Sequence, residues 1–413
     1  MLGIVIAGCG QGPITVEANR PILAPPPTTE PREDWDRAFQ RTDGWTGGDV
    51  AEAVDLGNQR TLWIWGDSWV GPVRAGKHAA GSRLVNNSLA VHDTMIGGAA
   101  PPADAVQFFW GPANEKSEPT AWLRPDVSRV TPRLPKNGTD DPSWYWLVNG
   151  IVLPDAQANP RLVLFAWHIA RTKGDGVWNF CTAGNALAVV DNSNESVDEW
   201  QIAQHDIPHA SGNVVRETPP PGQPISWGSA LLLVPRATQP EEHLTPWLYI
   251  YGTRGGGFNT ELVLARVPAD RVEDFTQWEF RTVEGWSSRL DDAASRADGL
   301  VSEFSVSPVE LAGKSRYVMI QSQPLFGKQI LARIAETPDA RWGDGLPIYQ
   351  VAGIEADRDY FTYAAKAHPH LSASGKLLIS YLINSHNFGK MVNDASIYRP
   401  RFVEVDLSAL TGK

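Results

Sequence analysis

Three acids in this chain sit where acid–base chemistry could be done. Asp49 ends the run Gly44-Trp45-Thr46-Gly47-Gly48-Asp49, Asp67 follows Trp63-Ile64-Trp65-Gly66, and Glu303 lies inside Val301-Ser302-Glu303-Phe304-Ser305-Val306. Hydrolysis of a glycosidic bond needs two carboxyl groups flanking it. One protonates the leaving oxygen, and the other acts as nucleophile or as base for water. Asp49 and Asp67 fall on neighbouring strands of one expected hairpin, and the glycines beside them let a ligand or another backbone approach closely. A glutamate in an apolar strand with no adjacent cation holds its proton to higher pH, which a general acid requires. Each acid also has a structural explanation: Asp67 as a turn cap, Asp49 as acceptor for N–H groups at a strand start, Glu303 as ion-pair partner of Lys366 or Arg254.

Candidate substrate contacts surround these acids. Tyr363-Ala364-Ala365-Lys366-Ala367-His368-Pro369 supplies a cation and an imidazole. Lys366 and His368 could bind sugar hydroxyls, tune a carboxylate or hold an axial ion, although a histidine satisfied within the core is the commoner outcome. Asn86-Asn87-Ser88, with Asn87 foremost, and Asn149 and Asn384 are candidate hydroxyl binders. The chain has 17 tryptophans against 9 tyrosines and 13 phenylalanines, a surplus that suits stacking on sugar rings, with Trp45 and Trp227 as the expected platforms. Core burial is still the default for any one indole. There is no Ser-x-Asp-x-Gly-x-x-Trp box, no Gly-x-Ser-x-Gly elbow, no His-Glu-x-x-His and no phosphate-binding glycine loop. Esterase, metalloprotease and nucleotide-dependent readings therefore lack a foothold, and neither a cofactor nor a metal ion is expected.

The elements that must position these residues recur. A hydrophobic strand with one embedded polar residue is followed five times by a short turn and a second apolar strand: 49–56 with 61–66, 146–153 with 162–167, 226–234 with 247–252, 301–311 with 317–321, and 365–372 with 377–382. The leading strands carry Asp49, Asn149, Ser229, Glu303 and His368. A third strand recurs as Leu-Val-Leu-Ala-Arg at 262–266 and Ile-Leu-Ala-Arg-Ile at 330–334. Such self-similarity is the mark of a β-propeller whose innermost strands line a common axis. The expected fold is all-β, a five-bladed β-propeller, with an all-β sandwich as the other architecture that gives many short strands.

Composition narrows the partners. A net charge of −11 without a Lys/Arg run repels phosphate backbones, so nucleic acid is excluded. After the first residues no stretch approaches the roughly 18 apolar residues of a membrane span. Ile6-Ala7-Gly8-Cys9 after an apolar Leu2-Gly3-Ile4-Val5 reads as a lipobox, with Cys9 as the lipidation site, although no basic segment precedes it. That fits a start codon placed too far downstream. The expected organisation is a truncated lipoprotein signal over 1–9, a proline-rich tether over 10–42 with a short helix near its end, and one propeller domain over 43–413. Membrane contact is expected only through the lipid anchor, and a monomer is expected. Cys181 reads as a small buried hydrophobe.

The runs GWTGGD…LWIWGDSWVG, NNSLAV, WGSALL, LYIYGT, LVLARVPA, SEFSV, YAAKAHPHLS and YRPRFV resemble bacterial proteins grouped as domain of unknown function 4185, part of which is glycoside hydrolase family 183, endo-D-arabinanases of mycobacterial arabinan. The resemblance runs from about Asp43 to Val405. It implies a five-bladed propeller and acidic catalysis at Asp49 and Asp67, which match the group's paired aspartates. Glu303 rests on its own sequence context alone. Together these point to a secreted or surface-anchored glycoside hydrolase acting on a polysaccharide, an arabinan or other furanoside being the natural candidate. The competing reading is a non-catalytic glycan-binding or scaffold lipoprotein, since propellers also serve binding without chemistry.

Overall fold

The computed structural model describes residues 29–126, 143–171, 180–210, 224–236, 245–255 and 260–410. The expectations for Cys9, for the leader and for the first part of the tether lie outside the described residues. The chain is all-β, with helix limited to Glu33–Ala38, Phe388–Asn393 and single 3-10 turns among the described residues.

Five antiparallel sheets of four or five strands succeed one another along the described chain, joined by two smaller ones. The first is led by Glu52–Gly57, the second by Ser143–Pro154, the third by Ile225–Val234, the fourth by Phe304–Leu311 and the fifth by Tyr360–Ala367. Each leading strand pairs with the next along the chain. Turn chemistry sets the hairpins: Ala312 and Gly313, both at positive φ, link Phe304–Leu311 to Lys314–Ser322 as a two-residue turn. Among the register shifts, those at Leu147/Asn149, Trp227/Ala230 and Tyr363/Lys366 fall in leading strands. Bulges of this kind re-aim side chains near functional sites.

The core is distributed between sheets. Separate apolar clusters join sheets one and two (Ile64 with Leu147), two and three (Phe165 with Ile250), three and four (Leu264 with Met319), four and five (Ile320 with Ile379), and five and one (Leu378 with Trp63). The leading strands also bond to one another. Asn149 Nδ2 donates to Ser229 O at 3.3 Å, Ala367 N to Ser305 Oγ at 2.8 Å, and Lys366 Nζ to both Glu52 Oε2 and Val148 O at 2.8 Å.

Several boundaries move from their expected places. The first and fourth leading strands begin at Glu52 and Phe304 rather than at 49 and 301, so Asp49 and Glu303 lie just before the strands expected to carry them. The fifth leading strand is Tyr360–Ala367 rather than 365–372, because Pro369 opens a 3-10 turn at Pro369–Leu371 and proline cannot donate to a ladder. The folded unit begins before residue 43. Thr29–Pro31 pairs with Arg401–Asp406 as the outer strand of the fifth sheet, and the helix Glu33–Ala38 buries Trp35 fully. Proline-rich composition concealed an edge strand, the one sheet position where proline is tolerated.

Candidate active site

The two aspartates are stitched together by backbone. Asp49 N donates to Asp67 O at 3.0 Å, and Gly66 N donates to Asp49 O at 3.1 Å. Ala51 N returns to Asp49 O at 2.9 Å, closing a tight turn with Val50 at φ 72° and Ala51 at φ 47°. Positive φ is costly for a β-branched residue, so the surrounding structure must enforce this turn. Two glycines are required by close approach. A Cβ on Gly66 would lie 2.3 Å from Asp49 Oδ1, and one on Gly47 would lie 2.5 Å from the carbonyl oxygen of Tyr398.

Each aspartate is held by its own donors. The Tyr398 hydroxyl donates to Asp49 Oδ2 at 2.8 Å. Trp146 Nε1 and Asn86 Nδ2 both donate to Asp67 Oδ1, at 2.7 and 3.2 Å. Glu303 forms neither of the ion pairs that would have made it structural. Arg254 pairs with Glu261 at 2.7 Å, and Lys366 with Glu52 at 2.8 Å.

Asp49, Asp67 and Glu303 line one cavity of about 450 Å³, walled on one side by Trp144 and Trp146. Burial dominates the electrostatics. It pushes Asp49 well above the usual carboxylate range, with the charges of Asp67 and then Glu303 adding to the rise. Burial also lifts Asp67 to about 6, against the lowering pull of Trp146, Asn86 and the Arg171 charge. It lifts Glu303 to about 7, against the lowering pull of Lys366. Three carboxyls with separated affinities for protons, in one cavity, can supply an acid and a base at the same pH.

The expected substrate contacts mostly fail this placement. Trp45 is buried and packs on Phe108 and Trp65, with ring centroids 4.5 and 4.7 Å apart. Trp227 is buried, and its Nε1 donates to His209 O. Asn87 spends its amide on backbone, donating to Leu123 O and Tyr145 O and accepting from Leu123 N. Asn149 accepts from Gly150 N and donates to Ser229 O. His368 is buried against Ser380 Oγ at 2.8 Å and is held neutral, first by burial and then by the charges of His370 and Lys366. Lys366 is fully buried in its pair with Glu52 and reaches the site only through its field on Glu303. All six are polar or aromatic groups whose partners come from inside the fold, which residue type alone does not reveal.

In their place the cavity presents Trp144, Trp146, Arg171, Tyr363 and Tyr398. The alternation Trp144-Tyr145-Trp146 was a readable signal, since residues two apart on a strand share a face. Asn86 and Asn384, the other expected hydroxyl binders, do line the cavity. Cys181 is buried as expected, its Sγ 3.9 Å from Ala170 O.

Comparison with known proteins bears on the fold. A Bacteroides ovatus protein described as a candidate hydrolase superposes with a TM-score of 0.65 at 16% identity, over 94% of this chain and 97% of that one. At that identity the likeness shows a shared fold and nothing more. The α-L-arabinofuranosidase of Podospora anserina, in complex with cellotriose, gives 0.43 at 11% identity over 93% of this chain and 96% of its own. The catalytic domain of a Coprinopsis cinerea GH62 α-L-arabinofuranosidase gives 0.44 at 11% over 92% and 94%. These two scores are too low to carry an argument. No curated protein matches the chain in sequence. The family that does match is a different group from the one the motifs resemble. Residues 32–407 match the family described as Domain of unknown function (DUF5005), and the chain belongs to that family.

Proposed function

We propose that this protein is a glycoside hydrolase that cleaves a polysaccharide by paired-carboxyl chemistry. The observation that carries the reading is the convergence of Asp49, Asp67 and Glu303 on one tryptophan-walled cavity. Glu303, with its proton held to about 7, donates it to the departing glycosidic oxygen. Asp67, the acid that ionises most readily of the three, acts as base toward water or as nucleophile at the anomeric carbon. Water supplies the hydroxyl of the new reducing end and the proton that restores Glu303. Asp49, whose proton burial holds to higher pH than is usual for a carboxyl, fixes the geometry of the pair through its backbone link to Asp67.

The finer features belong to the same proposal. The five sheets are blades of a closed propeller, a reading supported by the apolar cluster between sheets five and one and by the reach of Lys366 to both Glu52 and Val148. The pairing of Thr29–Pro31 with Arg401–Asp406 fastens the two ends of the chain in one blade. The motif resemblance to the domain of unknown function 4185 group, and through it to endo-D-arabinanases, favours an arabinan or other furanoside. Lipid anchoring at Cys9 outside the cytoplasm rests on the Ile6-Ala7-Gly8-Cys9 run and would be read from palmitate labelling lost in Cys9→Ala.

The test is release of new reducing ends from arabinans, arabinogalactan and fructans. Release by wild type, abolished in folded Glu303→Gln, is expected. Binding to a polymer with no release by wild type would instead establish the non-catalytic glycan binder.

A further inference from the structure

Arg171 ends the strand Pro160–Arg171 and lines the cavity beside the acids, its guanidinium 5.1 Å from the centre of the Trp144 ring. It is half-buried, yet it forms no ion pair and no hydrogen bond among the described residues. Four other half-buried arginines in this acidic chain are paired, Arg254 with Glu261, Arg266 with Glu279, Arg281 with Asp339 and Arg401 with Asp36; Arg399 is unpaired like Arg171 but does not line the cavity. Asp67 feels the Arg171 charge, but both donors bonded to its carboxylate are Trp146 and Asn86. A planar fork of donors is thus left without a bonded partner in the cavity lining, against an indole. The lining also includes Leu325, Phe326 and Phe361, with Arg171 its one cation among the described residues, and Leu325 is 45% exposed.

We propose that the glycan bound in this cavity carries an anionic group, a uronate carboxylate or a sulfate ester, on the residue that lies against Trp144, and that Arg171 binds it. The ionised Asp67 and the low-dielectric wall disfavour an anion in the cavity, so such a substituent needs a dedicated counter-charge. Arginine supplies one with two parallel donors matched to carboxylate or sulfate oxygens. The sugar on the Leu325 side is uncharged. This rests on the glycoside hydrolase reading for the cavity's occupant, but it is tested by binding rather than turnover.

The experiment is affinity gel electrophoresis of full-length Glu303→Gln protein, with and without Arg171→Ala or Arg171→Lys. The gels contain polygalacturonate, glucuronoxylan or alginate, the carboxyl-reduced form of each, or a sulfated galactan with its desulfated counterpart. Retardation by at least one anionic polymer is expected, weakened roughly 10- to 100-fold by Arg171→Ala. Arg171→Lys, which keeps the charge and loses the fork, gives an intermediate loss, while retardation by neutral polymers is unchanged. The uronate and sulfate gels distinguish the two anions. Equal retardation by anionic and neutral forms, retardation by neutral polymers only, or an Arg171→Ala effect of the same size on both overturns the proposal. Anion-selective binding lost in Arg171→Ala, with no hydrolysis of any polymer by wild type, would leave this inference standing and remove the hydrolase.

Discussion

The hydroxyl of Tyr398 donates a 2.8 Å hydrogen bond to Asp49 Oδ2 across 349 positions of sequence. Tyr398 itself sits at φ 59°, with its carbonyl oxygen against Gly47, two residues before Asp49. The last segment of the chain therefore holds the first acid in place. Replacing Tyr398 with Phe removes one bond from a buried carboxyl and should lower kcat about tenfold with little change in KM, the cost of roughly one hydrogen bond. An unchanged kcat in the folded variant would mean that Asp49 needs no such support.

Gly66→Ala places a methyl group where Asp49 Oδ1 now stands, 2.3 Å away. Backbone bonds Gly66 N to Asp49 O and Asp49 N to Asp67 O tie the two segments, so relieving the clash displaces the Asp49 carboxyl or the backbone that carries Asp67. Stability should fall by roughly 1–3 kcal/mol, as for overpacking elsewhere. Activity should fall by a hundredfold or more, because small displacements of reacting groups are costly. Denaturant midpoints and kcat measured on the same preparation separate the two effects. A variant as active as wild type would contradict the placement of Asp49.

How much of this was legible in the sequence depends on where each residue's partners lie. Phe304–Leu311 and Ile225–Val234 announced themselves through alternation and flanking turns, and so did Asp49, Asp67 and Glu303 as polar intrusions beside apolar strands. Asn87, Asn149, Trp45 and Trp227 look the same as ligand-binding groups in sequence. Their partners are backbone atoms and rings brought in by tertiary packing. Tyr398 carries no local mark at all, since its role exists only once the fifth sheet meets the first. Thr29–Pro31 was hidden for a related reason: an outer strand of three residues has too little pattern to outweigh its prolines.

The activity profile should be bell-shaped. Below about 6 Asp67 takes up a proton and ceases to act as base or nucleophile, and above about 7 Glu303 loses the proton it must donate. An optimum between these values is expected for kcat/KM. A plateau extending past pH 9 would exclude Glu303 as the acid.

The same shift makes a stability prediction with a definite sign. The folded-state pKa of Glu303 is raised from 4.5 to about 7. Its neutral form is therefore favoured by folding, and that stability is fully present below about 4.5 and lost as pH rises through about 7. Glu303→Gln has no such loss, so it should become more stable than wild type as pH rises from 5 to 8, by about 3 kcal/mol at the upper end. Urea denaturation at the two pH values measures it, and a stability difference independent of pH would contradict the burial of an ionising group at this position.

The central claim is that three carboxyls in one cavity divide the work of hydrolysis, with Asp67 ionised, Glu303 as proton donor and Asp49 fixing the geometry of the pair. The most direct measurement is kcat for reducing-end release by Asp49→Asn, Asp67→Asn and Glu303→Gln, each checked for folding, on the polymer that wild type cleaves best. The account predicts losses of about a thousandfold or more for Asp67→Asn and Glu303→Gln. Asp49→Asn should lose only about 10- to 100-fold, since an amide resembles a protonated carboxyl in shape and charge. Folded Asp67→Asn and Glu303→Gln proteins within tenfold of wild type, or a wild type that releases nothing from any polymer, would contradict it.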